Sequence, residues 1–355
     1  MKDSFRKEET FCFILNLNET RNTQLKPIAK YPLSQGRGGE VIFYILKKQL
    51  NNHIMLSLVL IILAATFFTG IVIRTKSIAS GRKGPGIYQP LKDVIRLFRK
   101  GTVYSETSSF VFRIAPTIYF SSVFVAMLMV PFGSSKGLIS FNGDFIFFAY
   151  VLGLGKFFSI IGALDTGSSF EGMGASREAL YSMFAEPAFF ILMGSLALMT
   201  GHTSFQEIFA TLHLGSSITY ALGVLAAFVF LMIAMIENSR MPIDDPKTHL
   251  ELTMVHEVMI LDNSGFDLGL ILTAGYLKFA LYGAIIFNLF SGSIGYGYAI
   301  PLFFAMQAFL AIVVGIIESF MARSRMNHNA QFIVVLSSVA ILIFFGALLV
   351  SGKFI

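Results

Sequence analysis

The chain consists of long apolar runs separated by shorter polar stretches. The runs are apolar throughout rather than at every third or fourth position, which is typical of membrane-spanning helices. Each run is close to the length of about 20 residues that a helix needs to cross the hydrocarbon core. The runs cover roughly residues 54–73, 112–132, 145–164, 183–200, 218–236, 271–290, 299–317 and 331–351. This pattern predicts an all-α, polytopic membrane protein with about eight transmembrane helices.

Composition supports this fold class and argues against a redox centre on the chain. Of the 355 residues, 55% are hydrophobic and 14% are charged, whereas soluble domains contain about 25% charged residues. Cys12 is the single cysteine. An iron–sulfur cluster takes about four cysteine ligands, so we expect no cofactor to be bound by this chain.

Lysine and arginine concentrate in alternate loops, which sets the predicted orientation because cytoplasmic loops carry the excess of these residues. The rule places the segments 74–111, 165–182, 237–270 and 318–330 on the cytoplasmic side of a membrane domain that covers residues 54–355. We expect these four loops to be functional, and the protein to be integral to a prokaryotic cytoplasmic (inner) membrane.

The N-terminal segment, residues 1–53, does not fit this orientation, because it is basic yet would lie outside. It shows no cleavable signal pattern, and Met55 stands where a first span would begin. Two interpretations stay open: an extension upstream of the true start site, or a working part of the protein.

The first cytoplasmic loop reads GRKGPGIYQPLKDVIRLFRKG. A glycine-rich turn that includes Arg82 and Lys83 precedes apolar residues at helical spacing, with basic residues on the other side. This pattern predicts a short amphipathic helix that lies at the membrane surface. A simple positive-inside anchor explains the pattern, and a docking surface or the wall of a ligand cleft is the alternative.

Charged residues inside the apolar runs are the first candidates for function. Lys156 stands near the middle of the third run, Lys278 within the sixth, and Glu186 and Glu237 within or at the ends of others. Intramembrane charges are costly and are usually paired or functional. We expect Lys156 to pair with Glu186 or Glu237 and to take part in proton transfer, although a lysine that extends toward the interface is the structural alternative.

The stretch ENSRMPIDDPKTHLELTMVHEVMILDNSG follows the fifth run. Its prolines predict an ordered loop, in which Arg240 lies near Asp244. A helix is expected after this loop, with His249 and His256 seven positions apart on one face. The His-Glu-x-x-His spacing of zinc proteases is missing, so we predict no metal site. A surface for protein docking or proton entry is expected, with a solvated helix as the alternative.

The second loop, DTGSSFEGMGASREALYSMFAEPA, is rich in glycine, and Arg177 and Glu178 are expected to open a helix there. At the end of the seventh run, ESFMARSR carries Glu318, followed by two arginines that suit the inner face of the membrane. A positive-inside role explains those arginines.

Four of these strings together resemble the H-subunit (NADH dehydrogenase subunit 1) family of respiratory complex I. They are GPGIYQPLKDVIRLFRK, GSSFEGMGASREALYSMFAEPA, the stretch after the fifth run, and ESFMARSR. The resemblance is greatest to the branch found in membrane-bound group 4 NiFe hydrogenases, of the formate hydrogenlyase and hydrogenase-4 type. It covers most of residues 55–355.

The resemblance implies a membrane anchor without catalysis of its own. Such a subunit couples electron transfer in a peripheral small Fe–S subunit and a NiFe large subunit to proton or sodium translocation by antiporter-like membrane subunits. The Fe–S clusters and the NiFe site would lie on those partners.

Departures from the quinone-reducing members favour the hydrogenase branch. The first loop lacks their Arg-Val-Gly insertion, and Lys247 and His249 replace two of their three alternating acids, which leaves Glu251. A quinone-chamber subunit of NADH:quinone oxidoreductase is the alternative function. A freestanding secondary transporter is a second alternative, although the internal repeats of many transporters are not found.

The candidate site residues form two groups. The predicted coupling or proton path comprises Lys156, Glu186, Glu237, Glu251, Lys278 and Glu318. The predicted docking surface comprises Arg82, Lys83, Arg177, Glu178, Arg240, Asp244, His249, His256 and Glu257.

Overall fold

The computed structural model describes residues 38–212, 217–241, 244, 254–292, 294–321 and 326–351, without the side chains of residues 38–54, 296 and 326–330. Residues 52–355 form one compact unit. The described residues before this unit, 38–51, are helical and belong to a second unit. The predicted sites Glu251 and His249 lie outside the described residues.

Regular structure in the described residues is helical, and no strand occurs among them. The helices are α1 Gly38–Ala79, α2 Gln89–Phe98, α3 Phe110–Met129, α4 Asp144–Asp165, α5 Ser169–Thr200, α6 Phe205–Thr211, α7 Ser217–Glu237, α8 His256–Met259, α9 Gly265–Ser291, α10 Tyr296–Phe320 and α11 Met326–Val350. The all-α fold class predicted from the sequence is confirmed.

Eight of the described helices are long and apolar enough to cross a membrane: α1 from Met55 onward, α3, α4, α5, α7, α9, α10 and α11. Their mean hydropathies lie between 1.6 and 2.9. The eight predicted spans are therefore confirmed as helices, and the protein is integral to a membrane.

Helix α5 begins much earlier than the apolar run predicted. Residues 169–182 were expected to be mainly loop, but they are helical, and the whole helix of 32 residues is about 48 Å long. The polar side chains of its first half, Glu171 and Glu178, are buried against other parts of the chain. The hydropathy pattern did not reveal this first half of α5, because it packs against protein and therefore contains polar residues among the apolar ones.

Helix α9 is the most enclosed of the eight spans, because 78% of the residues in its apolar stretch are buried within the protein. It packs against α2, α3, α7 and α10. Its buried Asn288 is satisfied by neighbouring backbone: the side chain donates to the carbonyl of Pro131 at 2.6 Å and accepts from the amide of Gly133 at 3.0 Å. This central position places Lys278, on the same helix, in the interior.

Small residues allow α3 and α4 to lie side by side. A Cβ at Gly155 would overlap the hydroxyl of Ser122, and one at Gly162 would stand 2.8 Å from the Cβ of Ala115. The two pairs are separated by seven residues on each helix and run in opposite directions, which is the close packing that small residues permit in membranes. Lys156 follows Gly155 on α4, so it stands next to this close contact between the two helices.

Helix α2 confirms the amphipathic helix predicted in the first loop. It packs against the beginning of α9, where the ring of Phe98 lies 5.2 Å from that of Phe266. The side chain of Phe98 also covers Gly269.

The segment after α7 differs in part from the prediction. Ser239 adopts a left-handed conformation with φ of 49°, and the amide of Arg240 donates to the carbonyl of Met235 at 2.8 Å, which ends α7. Met254 and Val255 are not helical, and α8 is a single turn. A continuous helix with His249 and His256 on one face was therefore wrong, because Met254 and Val255, which would lie within it, are not helical.

Candidate functional site

The buried ammonium group of Lys156 lies between two carboxylates from other helices. Its Nζ donates to Oε1 of Glu237, at the end of α7, at 2.7 Å. It also lies 3.2 Å from Oε1 of Glu178 on α5. Three helices, α4, α5 and α7, therefore meet at one cation. Glu237 is one of the two partners that the sequence suggested for Lys156.

Lys278 on α9 extends this arrangement. Its Nζ lies 3.2 Å from Oε2 of Glu237 and 3.3 Å from the carbonyl oxygen of the same residue. It also stands 5.0 Å from the centre of the Tyr119 ring, a distance suited to a cation–π contact. Glu178, Lys156, Glu237 and Lys278 thus form a chain of alternating charge, called here the ion-pair network.

The ion-pair network is electrically balanced and enclosed. Two ammonium groups face two carboxylates, and the four side chains are between 2% and 9% exposed. Removing one member of such a buried set leaves an uncompensated charge, which typically costs about 3–5 kcal/mol. A change of protonation or position at one residue therefore changes the electrostatic energy of the other three.

A small cavity continues from the ion-pair network toward Glu186. Its volume is about 30 Å³, and its wall includes Lys156, Glu237, Glu186 and Tyr282. A water molecule needs about 10–15 Å³ of such space, so the cavity has room for about two. Glu186 is exposed on the outside of the chain, about 12 Å further along α5 than Glu178.

Glu318, near the end of α10, belongs to a second charged cluster. Its Oε1 lies 3.1 Å from Nη1 of Arg240, and its Oε2 lies 3.6 Å from Nζ of Lys76 at the end of α1. Glu318 is buried. The predicted coupling residues that the structure describes are therefore divided between two clusters.

Charged side chains hold the segment around α8 by its backbone. Oδ2 of Asp244 accepts hydrogen bonds from the amides of Val255 and His256, both at 3.0 Å. Nη1 of Arg177 donates to the carbonyl of Met254 at 2.9 Å. Because these bonds involve main-chain atoms, they fix the path of the segment.

Glu171 holds the same segment from its other end. Its Oε1 accepts a hydrogen bond from the amide of Asp262 at 2.9 Å, and the residue is fully buried. A Cβ at Gly174 on α5 would stand 2.7 Å from the carbonyl oxygen of Val255. The first half of α5 is thus the base on which this segment rests.

His256 and Glu257 are two partly buried ionisable groups on α8. Burial lowers the pKa of His256, although the carboxylates of Glu178 and Asp244 oppose the change. Burial, together with the charge of Asp244, raises the pKa of Glu257 to about 7, against the effect of Arg240. The protonated form of Glu257 therefore persists to higher pH than in an ordinary glutamate.

The remaining predicted docking residues differ in exposure. Arg82 and Lys83 are exposed in the turn before α2, whereas Glu178 is buried in the ion-pair network rather than on an exposed surface. In the described part of the chain, no three His, Cys, Asp or Glu side chains are grouped so as to hold a metal ion.

Sequence reasoning did not single out Lys76, Glu171 or Tyr119. Each gains its place in a cluster from a contact between distant segments, as with Lys76 and Glu318. Glu171 stood within the FEG string of the second loop, but its burial depends on the later segment 254–262.

Comparison with known proteins gives a family match over most of the chain. The NADH dehydrogenase family profile matches residues 52–349. Hydrogenase-4 component C of Escherichia coli K12 is 33% identical over 60% of this chain and 66% of its own length. Formate hydrogenlyase subunit 4 of the same organism is 29% identical over 53% of this chain and 61% of its own length. The matches thus span less than two thirds of either relative.

Two further proteins extend the comparison. The H-subunit of NADH-quinone oxidoreductase from Methylococcus capsulatus is 26% identical over 71% of this chain and 79% of its own length. A chain of the membrane-bound sulfane sulfur reductase, an archaeal respiratory membrane complex, superposes with a TM-score of 0.70 at 18% identity, covering 84% of this chain and 99% of that one. The chain therefore belongs to the NADH dehydrogenase family and is an integral membrane subunit of the respiratory-complex type.

Proposed function

We propose that this chain anchors and couples a hydrogenase-like complex of the formate hydrogenlyase type. In this role it links electron transfer in peripheral Fe–S and NiFe subunits to proton or sodium translocation in antiporter-like membrane subunits. The metal groups belong to the partners. The observation that carries the proposal is the ion-pair network, because a balanced set of buried charges inside a membrane is typical of ion and proton pathways.

The ion-pair network has a direct connection to the cytoplasmic segment around α8. Arg177 on α5 donates a hydrogen bond to the carbonyl of Met254. Glu178, which follows Arg177 on the same helix, faces Lys156. A movement of the segment that shifts the first half of α5 would displace Glu178 from Lys156. Two ammonium groups would then face the single carboxylate of Glu237, and this excess of positive charge favours release of a proton from Lys156 toward the cavity.

The opposite end of the path is Glu186. An exposed carboxylate in the middle of a membrane span is costly unless protein or water covers it. We infer that a neighbouring membrane subunit covers the face of α5 that carries Glu186. Water in the cavity beside Glu237 would then connect the ion-pair network to that subunit.

The experiment is the substitution Glu237→Gln in the assembled complex. The amide keeps the size of the side chain but removes the charge shared by Lys156 and Lys278, so we expect activity to be lost or uncoupled while the subunits still assemble. Glu207→Gln is the matched control, because Glu207 lies on α6 with its side chain about half exposed, and its carboxylate is 3.2 Å from Nδ1 of His202, outside the ion-pair network. Unchanged activity and ion yield in Glu237→Gln would contradict the proposal.

A quinone-chamber subunit is the second candidate, favoured by the similarity to the H-subunit of NADH-quinone oxidoreductase. A second cavity, lined by Tyr119, Met259 and Asn263 among others, measures about 10 Å³. Neither this cavity nor the one beside Glu186 fits a quinone ring. Quinone-dependent activity of the purified complex that is sensitive to chamber inhibitors would support this candidate.

The freestanding transporter, the second alternative from the sequence, is disfavoured by the family match over residues 52–349. Purification from native membranes separates it from the first two, because a transporter would be recovered without soluble redox subunits. Recovery with an Fe–S subunit and a large subunit that contains paired Cys-x-x-Cys motifs would favour the hydrogenase-like complex.

A further inference from the structure

Three kinds of residue recur along α2 with each helical turn, and each kind forms one side of the helix. Pro90, Val94 and Leu97 form the side that packs into the protein. The residue after each of these is apolar and exposed, and the residue after that is basic. The exposed apolar side comprises Leu91, Ile95 and Phe98, and the basic side comprises Lys92, Arg96 and Arg99, followed by Lys100.

The position of α2 relative to the ends of α1 and α9 indicates what its two exposed sides contact. Before α2 the chain folds back along α1, so that the backbone of Ile87 lies against Gly70, about 13 Å from the end of that helix. The ring of Tyr88 lies 6.1 Å from that of Phe67, which is itself exposed on α1. At its other end, α2 packs on the first turn of α9, at Phe266. The helix therefore lies level with the cytoplasmic ends of two spans.

Charge and apolarity on α2 match the boundary of a lipid leaflet. The exposed apolar side suits the upper acyl chains, and the neighbouring basic side suits phosphate groups. Asp93 is the one acid on the helix, and it lies 3.8 Å from Arg96. The other three basic side chains, Lys92, Arg99 and Lys100, are all exposed. The basic side thus carries a clear excess of positive charge.

We propose that α2 is a binding surface for anionic phospholipid headgroups, with its apolar side inserted between the lipids and its basic side on their phosphates. This role is separate from the coupling function. Each basic residue close to an anionic surface changes the binding constant about fivefold, so the four together enrich anionic lipid strongly over zwitterionic lipid.

The absence of tryptophan from the chain permits a direct test. The variant Ile95→Trp places a single fluorophore on the exposed apolar side of α2, where Ile95 is 43% exposed. The full chain is reconstituted in bilayers of phosphatidylglycerol and phosphatidylcholine, with brominated acyl chains on one lipid or on the other. The composition stays constant, and only the lipid that carries the quencher changes.

We expect brominated phosphatidylglycerol to quench the tryptophan several-fold more strongly than brominated phosphatidylcholine. Leu342→Trp is the matched control, because Leu342 is 58% exposed on α11, whose span Gln331–Val350 contains no charged residue. Quenching there should not depend on which lipid is brominated.

Two further measurements connect the preference to charge. Replacing Lys92, Arg96, Arg99 and Lys100 by glutamine in the Ile95→Trp chain should remove the preference, and raising the salt concentration should reduce it in the unchanged basic helix. Equal quenching by both lipids would overturn the proposal, because the surface would then not select charge. Absence of quenching by either lipid would also overturn it, since another protein surface or the chain itself would then cover α2.

Discussion

The ammonium nitrogen of Lys156 lies 2.7 Å from Oε1 of Glu237, which joins the middle of α4 to the end of α7 inside the membrane domain. The second oxygen of Glu237 faces Lys278 at 3.2 Å, and Lys156 also faces Glu178. No member of this set can change its charge without affecting the others. The stability of the fold and the proposed coupling function therefore depend on the same four side chains.

Removing the cation alone should destabilise the protein more than removing it together with one acid. Lys156→Met leaves two carboxylates facing one ammonium group, with an expected loss of about 3–5 kcal/mol. The double variant Lys156→Met/Glu178→Gln restores the balance, so it should recover part of that loss. Unfolding of the purified chain in detergent, followed by circular dichroism, measures both. A double variant less stable than Lys156→Met would contradict the charge-balance explanation.

The contact between α3 and α4 predicts a difference between two nearby glycines. Gly155→Ala would place a methyl group 2.9 Å from the Cβ of Ser122, whereas the nearest atom at Gly153 is Oε1 of Glu186 at 3.7 Å. Overpacking of this kind typically costs about 1–3 kcal/mol. We expect Gly155→Ala to lower the unfolding temperature and Gly153→Ala to leave it nearly unchanged. Similar unfolding temperatures for the two variants would show that α3 and α4 are less tightly packed.

Asp244 should control the mobility of the segment that precedes α8. Asp244→Ala removes the acceptor for the amides of Val255 and His256. Hydrogen exchange at these amides should become at least about tenfold faster, since losing a hydrogen bond of about 1.5–3 kcal/mol to a charged group changes an opening equilibrium by that order. Exchange in α4 is the internal control. Unchanged exchange at both amides would mean that other contacts fix this segment.

Glu257 predicts a fall in stability between acidic and neutral pH. Its pKa is raised from 4.5 to about 7 in the folded protein, so the folded state holds a proton that the unfolded state has released. The contribution of Glu257 to stability is therefore greatest below pH 4.5 and declines until about pH 7, by up to roughly 3 kcal/mol. Glu257→Gln should remove this decline.

His256 acts in the opposite direction and has to be separated from Glu257. Its pKa is lowered in the folded protein, so its contribution is present above the ordinary pKa of 6.5 and is lost as the pH falls. The variant His256→Asn removes this part alone. Unfolding curves of both variants and of the unchanged chain across this pH range measure the two effects. Identical pH dependence in Glu257→Gln and the unchanged chain would contradict the assignment to Glu257.

The sequence was sufficient for those parts of the fold that depend on local composition. The eight spans were visible as apolar runs, and α2 was visible because Leu91 and Ile95 recur at helical spacing among basic residues. Lys156 stood out because a charge within such a run is rare. These features depend on residues that are neighbours along one helix.

The pairing of charges could not be predicted, because it depends on contacts between helices. Lys156 and Glu237 are 81 positions apart, and both Glu186 and Glu237 were reasonable partners from sequence. Glu178 was assigned to the docking surface, at the opening of a helix in a glycine-rich loop, and its burial could not be seen from the sequence. The carbonyl of Val255 lies close to Gly174 on α5, so this glycine allows the later segment to pack closely against the helix.

The proposed coupling function is tested most directly by the number of protons or sodium ions moved across the membrane per electron pair. It should be measured in inverted membrane vesicles that contain the assembled complex with Glu237→Gln, beside vesicles with the control Glu207→Gln. We predict that ion translocation falls relative to electron transfer, or that both stop, in Glu237→Gln alone. The same ion yield and the same rate of electron transfer in both variants would contradict a coupling role for the ion-pair network.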